Sequence, residues 1–277
     1  MHPPVDVFAS LALGAFSIIV PAAHARLTLR TRYQRVTQQG ATFFLGFNLM
    51  NAGYWMLQPA IRRCCEHRVS ANTISWLSLL PAVAAALAAA TGHWGFAAWA
   101  LLGSALLDVM DGAVARASGQ TSPAGAVLDS VLDRYAESIV FAGLLAFYRN
   151  HIGTQLIIMA ALVGSFLVTY STAKAEALRL KPPRGSMKRS DRLTVLILGS
   201  ALAPLSQYWL EIGHRGEPAW PVVAAVAVIA VLANYSAVQR FSALADEARR
   251  NARPDAPAVT RATPSAPLPK KLPIARV

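Results

Sequence analysis

Apolar residues gather into seven long runs, approximately 5–24, 73–92, 94–116, 124–148, 152–175, 191–211 and 219–241, parted by short polar stretches. A bilayer span needs about 20 largely apolar residues, and only a helix or a closed barrel satisfies its backbone in lipid. The pattern predicts an all-α polytopic membrane bundle with six core transmembrane helices and an extra N-terminal membrane helix. The first run ends in Ala23-His24-Ala25, which resembles a signal-peptidase site, yet its leading region lacks Lys and Arg and carries Asp6. A retained anchor and a cleaved signal both stay open. Between the first two runs, residues 43–67 set Phe44, Phe47, Tyr54, Trp55 and Ile61 beside Arg62 and Arg63, with Arg68 immediately following. That mixture suits an amphipathic helix lying in the headgroup layer; an ordinary polar connection is the alternative. The small residues from Ala82 to Ala90 predict a close helix contact. Six prolines fall between Pro254 and Pro273 among Lys and Arg, predicting a disordered basic tail. The chain thus divides into an anchor and basic linker at 1–40, a membrane domain at 41–245 and a tail at 246–277.

Composition supports this division. Hydrophobic residues make up 55% and charged residues 14%, against about 25% charged in a soluble domain. The net charge of +12 does not indicate nucleic acid, because the basic residues concentrate in 25–72, 116–123, 174–192 and the tail from 240. Arg149 and Arg215 alone fall on the other side. The positive-inside rule makes the basic side cytoplasmic, in the cell's inner membrane. His93, His151 and His214 fall in short external connections and are expected at the surface. Cys64 and Cys65 are adjacent and predict reduced thiols.

Five of the fourteen acidic residues occur within thirty positions of apolar context: Asp108, Asp111, Asp129, Asp133 and Glu137. Ionisable groups at membrane depth are costly and mark function. Asp108 and Asp111 are three apart and Asp129 and Asp133 four apart, so each pair shares a helix face. The turn containing Gly119, Thr121, Ser122 and Pro123 brings the two helices antiparallel, so that four carboxylates converge. Clustered carboxylates in low dielectric require protons or cations between them. Oxygen-only ligands favour Mg²⁺ or Mn²⁺, and two such ions suit phosphoryl chemistry. Gly112 and Ala115 leave room on the carboxylate face, Arg116 offers a fork for phosphate, and Gly125 leaves space on the opposing helix. Glu137, one turn beyond Asp133, could support a metal ligand, pair with Arg134 or be protonated and buried.

The segment from Asp108 to Asp133, DVMDGAVARASGQTSPAGAVLDSVLD, resembles the pattern D-x2-D-G-x2-A-R-x8-G-x3-D-x3-D of the CDP-alcohol phosphatidyltransferase family. The resemblance spans the six helices from about 70 to 241. It implies that Asp108, Asp111, Asp129 and Asp133 hold two divalent ions, Mg²⁺ or Mn²⁺, and that Asp133 accepts the proton of the attacking hydroxyl. Gly112, Ala115, Arg116, Ser122 and Gly125 would lie against the CDP-lipid, as would Asn72 and Thr73 at the start of the first core helix. The family's usual Pro-Asn-x-x-Thr reads here Ala71-Asn72-Thr73-Ile74-Ser75. Asn72 could instead cap its helix, and Ser122 could simply shape the turn.

The implied reaction is attack by an alcohol hydroxyl on the phosphatidyl phosphorus of CDP-diacylglycerol, giving a phospholipid and CMP, by a homodimer at the membrane. The stretch around Tyr170 to Glu176 and the later Arg189 and Arg192 resemble members with inositol-phosphate-type acceptors, although Lys174 stands where Arg is usual. Lys174, Arg189 and Arg192 would form a pocket for a polyol phosphate such as inositol phosphate or glycerol phosphate; topological anchoring is the alternative. A Mg²⁺-dependent membrane prenyltransferase and an ion-coupled transporter with buried carboxylates are the rival functions.

Overall fold

The computed structural model describes residues 4–27, 33, 36, 46–180, 185, 187–209 and 218–251. Among these, helices run in the order α1 (Pro4–Leu27), α2 (Phe47–Glu66), α3 (Ala71–Leu77), α4 (Leu79–Ala90), α5 (Trp94–Ala117), α6 (Pro123–Phe147), α7 (Ile152–Ala177), α8 (Arg189–Trp209) and α9 (Trp220–Asn251). The described part is an all-α bundle, as the seven apolar runs predict. His214, Arg215, Phe44, most of the basic linker and the tail from 252 lie outside the described residues.

Two element boundaries differ from expectation. The run 73–92 is not one helix: it breaks at Ser78, between α3 and α4. Pro81 has no N–H to give to the Leu77 carbonyl, which interrupts the ladder there. Local hydroxyls satisfy the break. Ser78 Oγ donates to the Ser75 carbonyl at 2.7 Å, and Ser104 Oγ on α5 donates to the Ser78 carbonyl at 3.2 Å. At the other end of the chain, α9 continues to Asn251, past the expected boundary at 245. The Ala, Glu and Arg residues there are strong helix formers, which carries the helix on before the prolines begin.

Among the described residues, five helical segments are long and apolar enough to cross a membrane: Val5–Leu27, Ala71–Ala90, Trp94–Ala117, Ile152–Ala177 and Trp220–Asn251. α6 and α8, with 25 and 21 residues, are long enough to span at 1.5 Å per residue. They are less apolar because α6 carries Asp129, Asp133, Arg134 and Glu137 and α8 carries Arg189, Asp191 and Arg192. Those charges build the site.

Close helix contacts fix how α6 is placed. Ala82, Ala85, Ala86 and Ala89 of the small-residue run are buried, and a Cβ added at Gly143 on α6 would collide with the Ala86 backbone. The backbones of α4 and α6 therefore touch, as small-residue interfaces in lipid allow. Gly164 on α7 similarly admits Asn234 on α9, whose Nδ2 donates to the Ala160 and Ala230 carbonyls, each at 2.8 Å. An aromatic cluster of Trp94, Phe147 and Tyr148 closes the end of the bundle away from the aspartates.

α1 packs on α2, α5 and α8. Asp6 is 1% exposed; its Oδ1 accepts from the Gly95 N–H at 2.9 Å and the Phe96 N–H at 3.3 Å. A carboxylate from one helix thus satisfies the unpaired first-turn donors of another. α2 has the amphipathic character expected of 43–67: Asn51, Ala52, Leu57 and Ile61 face the protein while Arg62 and Arg63 are exposed.

Substituting Gly143 by Ala should lower the thermal unfolding midpoint in lipid nanodiscs, at a cost of about 1–3 kcal/mol for overpacking. Gly14→Ala, where an added Cβ meets nothing, should shift stability by less than roughly 0.5 kcal/mol.

Candidate active site

The turn between α5 and α6 follows from its residues. Gly119 adopts φ +68°, which glycine tolerates without strain, and the Gln120 N–H returns to the Ala115 carbonyl at 2.9 Å. Ser122 caps α6, its Oγ accepting the Gly125 N–H at 3.0 Å, with Pro123 in the first turn. Gln120 Oε1 accepts the Ala71 N–H at 3.2 Å and ties the turn to the start of α3. Asn72 therefore lies beside the turn. A Cβ at Gly125 would meet Ser122 Oγ at 3.2 Å and Asn72 Oδ1 at 3.4 Å. Ser70, not Asn72, holds the cap position of α3, so the capping alternative for Asn72 does not describe its place. Thr73 is exposed nearby.

Asp108 from α5 and Asp129 and Asp133 from α6 each present an oxygen within 4.8 Å of the others. Three like charges at that spacing repel by roughly 3 kcal/mol per pair at an effective dielectric constant of 20. One guanidinium relieves part of this. Arg189 at the start of α8 donates from Nη1 to Asp108 Oδ2 at 2.8 Å and from Nη2 to Asp133 Oδ1 at 2.9 Å. Asp111 does not join the triad. It is 5% exposed and receives the Ser75 hydroxyl from α3 at 2.6 Å and its neighbour Gly112 N–H at 2.5 Å. The Asp108 and Asp129 charges still act on it. The space left by Gly112 is taken by Arg116, whose Nη1 would lie 3.1 Å from a Cβ there.

The triad suits a hard cation. Ligand oxygens around an octahedral ion of Mg²⁺ or Mn²⁺ type stand about 3 to 4 Å apart, so side-chain adjustments of under an ångström would close this set. Arg189 balances only one of three negative charges, which leaves room for divalent charge.

Two expectations change with the geometry. Glu137 pairs with neither Arg134 nor the aspartates; it accepts from Arg192 Nε at 2.9 Å and Nη2 at 3.3 Å. Arg134 lies instead against Asp133 and the Ser130 carbonyl. Arg192 is 3% exposed, so this is a buried, two-point ion pair. Lys174 is exposed and does not line the cavity that Arg189 and Arg192 share. The cavity, about 370 Å³, is bounded by Asp133, Thr172, Glu176, Lys188, Arg189, Arg192 and Arg240 among others. Arg240 on α9 reaches Thr172 Oγ1 with Nη1 at 3.1 Å. Nothing in the local sequence marks Arg240, which sits among the basic residues following the last apolar run; Ser75 was visible only as a departure from the family's Thr.

The sequence model of the CDP-alcohol phosphatidyltransferase family matches residues 68–236. The chain is 33% identical over 181 residues to the phosphatidylinositol phosphate synthase of Mycobacteroides abscessus, covering 63% of this chain and 72% of the relative. It is 31% identical over 189 residues to the archaetidylinositol phosphate synthase of Methanothermobacter thermautotrophicus, covering 66% of this chain and 90% of the relative. Crystal structures of the Mycobacterium tuberculosis phosphatidylinositol phosphate synthase share the fold. The form with CDP-DAG bound has a TM-score of 0.58 at 26% identity, over 67% of this chain and 92% of that one. The form in complex with manganese and citrate gives 0.59 at 26%, over 67% and 87%. These findings displace the prenyltransferase and transporter alternatives.

Two measurements probe the charges. Arg189→Ala should lower the midpoint in EDTA and enlarge the stabilisation by Mn²⁺, since ion and guanidinium compete for the Asp108 and Asp133 oxygens; thermal shift against Mn²⁺ concentration checks it. Glu137→Ala should cost about 3–5 kcal/mol by stranding buried Arg192, against about 0–1 kcal/mol for Asp246→Ala, whose partner Arg249 is exposed.

Proposed function

We propose that this chain, which belongs to the CDP-alcohol phosphatidyltransferase family, moves the phosphatidyl group of CDP-diacylglycerol to a hydroxyl of inositol phosphate and releases CMP. Family membership and the apolar helices make it a multi-pass membrane phosphatidyltransferase. The acceptor, the ions and the individual roles are the proposal. One observation carries the acceptor: a cationic cavity opens directly beside Asp133, walled by Lys188, Arg189, Arg192 and Arg240. An alcohol that brings its own phosphate needs such a wall, and a neutral alcohol does not. The relatives' names favour inositol phosphate over glycerol phosphate.

The nucleotide end would lie where α3 meets the α5–α6 turn, against Asn72, Thr73, Gly112, Ala115, Arg116, Ser122 and Gly125. Gly125 admits the Ser122 and Asn72 side chains and Gly112 admits Arg116, and Arg116 is the cation at hand for the diphosphate. Asp108, Asp129 and Asp133 form one oxygen set, and Asp111, fixed by Ser75, stands one helix turn on to complete a second. Two Mg²⁺ or Mn²⁺ ions on these carboxylates would neutralise charge on the diphosphate and on the departing CMP. Asp133 faces both the triad and the cavity. It takes the proton of the attacking hydroxyl as the new oxygen–phosphorus bond forms and the bond to CMP breaks. Arg189, already bonded to Asp133, holds that carboxylate in place. The concentration of Lys and Arg at this end of the bundle supports a cytoplasmic site in the inner membrane.

The purified protein with CDP-diacylglycerol and Mg²⁺ should release CMP with inositol phosphate and much less with glycerol phosphate, inositol or serine. Asp133→Asn should reduce turnover at least about 100-fold, the scale of a positioned base, with an unchanged unfolding midpoint. CMP release indifferent to the acceptor, or full turnover by Asp133→Asn, would contradict the assignment.

A further inference from the structure

We propose that α1 stays in the working protein as a permanently docked membrane helix, and that Asp6 is the residue that seats it on α5. The family model starts at residue 68, so α1 lies outside the part of the chain that the family shares. By sequence the run 5–24 fits a removable leader as well as an anchor. The two make different demands on side chains. A leader's apolar stretch needs length and hydrophobicity but no particular face, whereas a helix that remains must give its neighbours a surface to pack on.

α1 has such a surface. Its buried side chains are Asp6, Ser10, Leu13 and His24, spaced so that all four lie on one side of the helix. Three of them are polar. The opposite side carries Phe8, Leu11, Ile18 and Ile19, all exposed. The helix is therefore polar toward the protein and apolar toward lipid, and polar side chains facing neighbouring helices are what hold spans together in a bilayer.

The seat on α5 is built to match. Both helices begin at the end of the bundle away from the aspartates, where Asp6 Oδ1 accepts the Gly95 and Phe96 N–H groups. One turn on, Trp99 donates from Nε1 to the Ala9 carbonyl at 2.8 Å and sets its ring edge-on to Phe16, with centroids 5.4 Å apart. A Cβ at Gly95 would collide with the Asp6 carbonyl and stand 3.1 Å from Ser10 Oγ. The two backbones thus touch, which only glycine permits there. At the other end of α1 the His24 ring lies 5.9 Å from that of Trp55 on α2. A cut after Ala25 would remove every one of these contacts and leave the Gly95, Phe96 and Trp99 N–H groups without their acceptors.

The full-length chain, tagged at its C-terminus, isolated from membranes and placed in lipid nanodiscs, tests this by intact mass and thermal unfolding. The mass should include the residues of α1. Asp6→Ala should lower the unfolding midpoint by roughly 3–10 °C, the scale of stranding buried donors. Asp6→Asn should keep most of the midpoint, because its amide oxygen still accepts an N–H, and Phe8→Ala on the lipid side should shift it by less than about 2 °C. Gly95→Ala should lower it as Asp6→Ala does, and the double variant should lose clearly less than the sum, since both changes act on one contact. A purified chain that begins near Arg26 overturns the proposal. So does an intact chain in which Asp6→Ala costs no more than Phe8→Ala, or in which Asp6→Ala and Gly95→Ala simply add. Should Asp6→Ala fail to accumulate in membranes, Asp6→Asn decides: a midpoint near that of the wild type supports the seat, and a second failure to accumulate overturns it. None of these readouts uses turnover, so the acceptor reading can fail without touching this inference.

Discussion

Negative charge gathered at membrane depth has to be met by positive charge arriving from another helix, and the arrangement of this bundle follows from that requirement. Three aspartate oxygens within 4.8 Å would force α5 and α6 apart if left alone. Arg189 bridges two of them from α8, and one turn further along the same helix Arg192 meets Glu137. α6 and α8 are thereby matched along two successive turns. Neither is apolar enough to be a simple span, and their charges are tolerated because long side chains pair them across the gap between the two helices.

Such matching needs close and fixed helix positions, which small residues provide. Gly143 against Ala86 brings α6 onto α4, and Gly199 against Ala225 brings α8 onto α9. Lipid supplies no hydrophobic drive between helices, so close packing and buried hydrogen bonds must hold them. The break at Ser78 belongs to the same scheme. On α3, just before the break, Ser75 faces Asp111 and donates to it, while the Ser78 hydroxyl donates to the Ser75 carbonyl. One aspartate is thus anchored on α3 while three others share space between α5, α6 and α8.

The division of labour between the two faces of α6 is physical as well. Toward the α5–α6 turn it presents Gly125, against which the Ser122 and Asn72 side chains lie. Toward α7, α8 and α9 it offers Asp133 to a cavity rich in guanidinium groups. A donor and an acceptor could approach the same carboxylate from opposite sides, each held by its own cations.

Local pattern alone determined the all-α membrane architecture, the amphipathic α2, the small-residue contact of α4 and the two faces bearing Asp108, Asp111, Asp129 and Asp133. Helical periodicity and apolar length are properties of neighbouring residues, and they are written directly in residue order. Tertiary structure decided which cation meets which carboxylate. Glu137 and Arg192 are 55 positions apart, and local order also allowed Arg134 or the metal ligands as Glu137's partners. Lys174 and Arg240 both fall at the ends of apolar runs in the sequence, yet only the second faces the cavity. A rotation of one helix by a single residue, about 100°, would exchange such partners, and that rotation is set by packing between helices far apart in the chain.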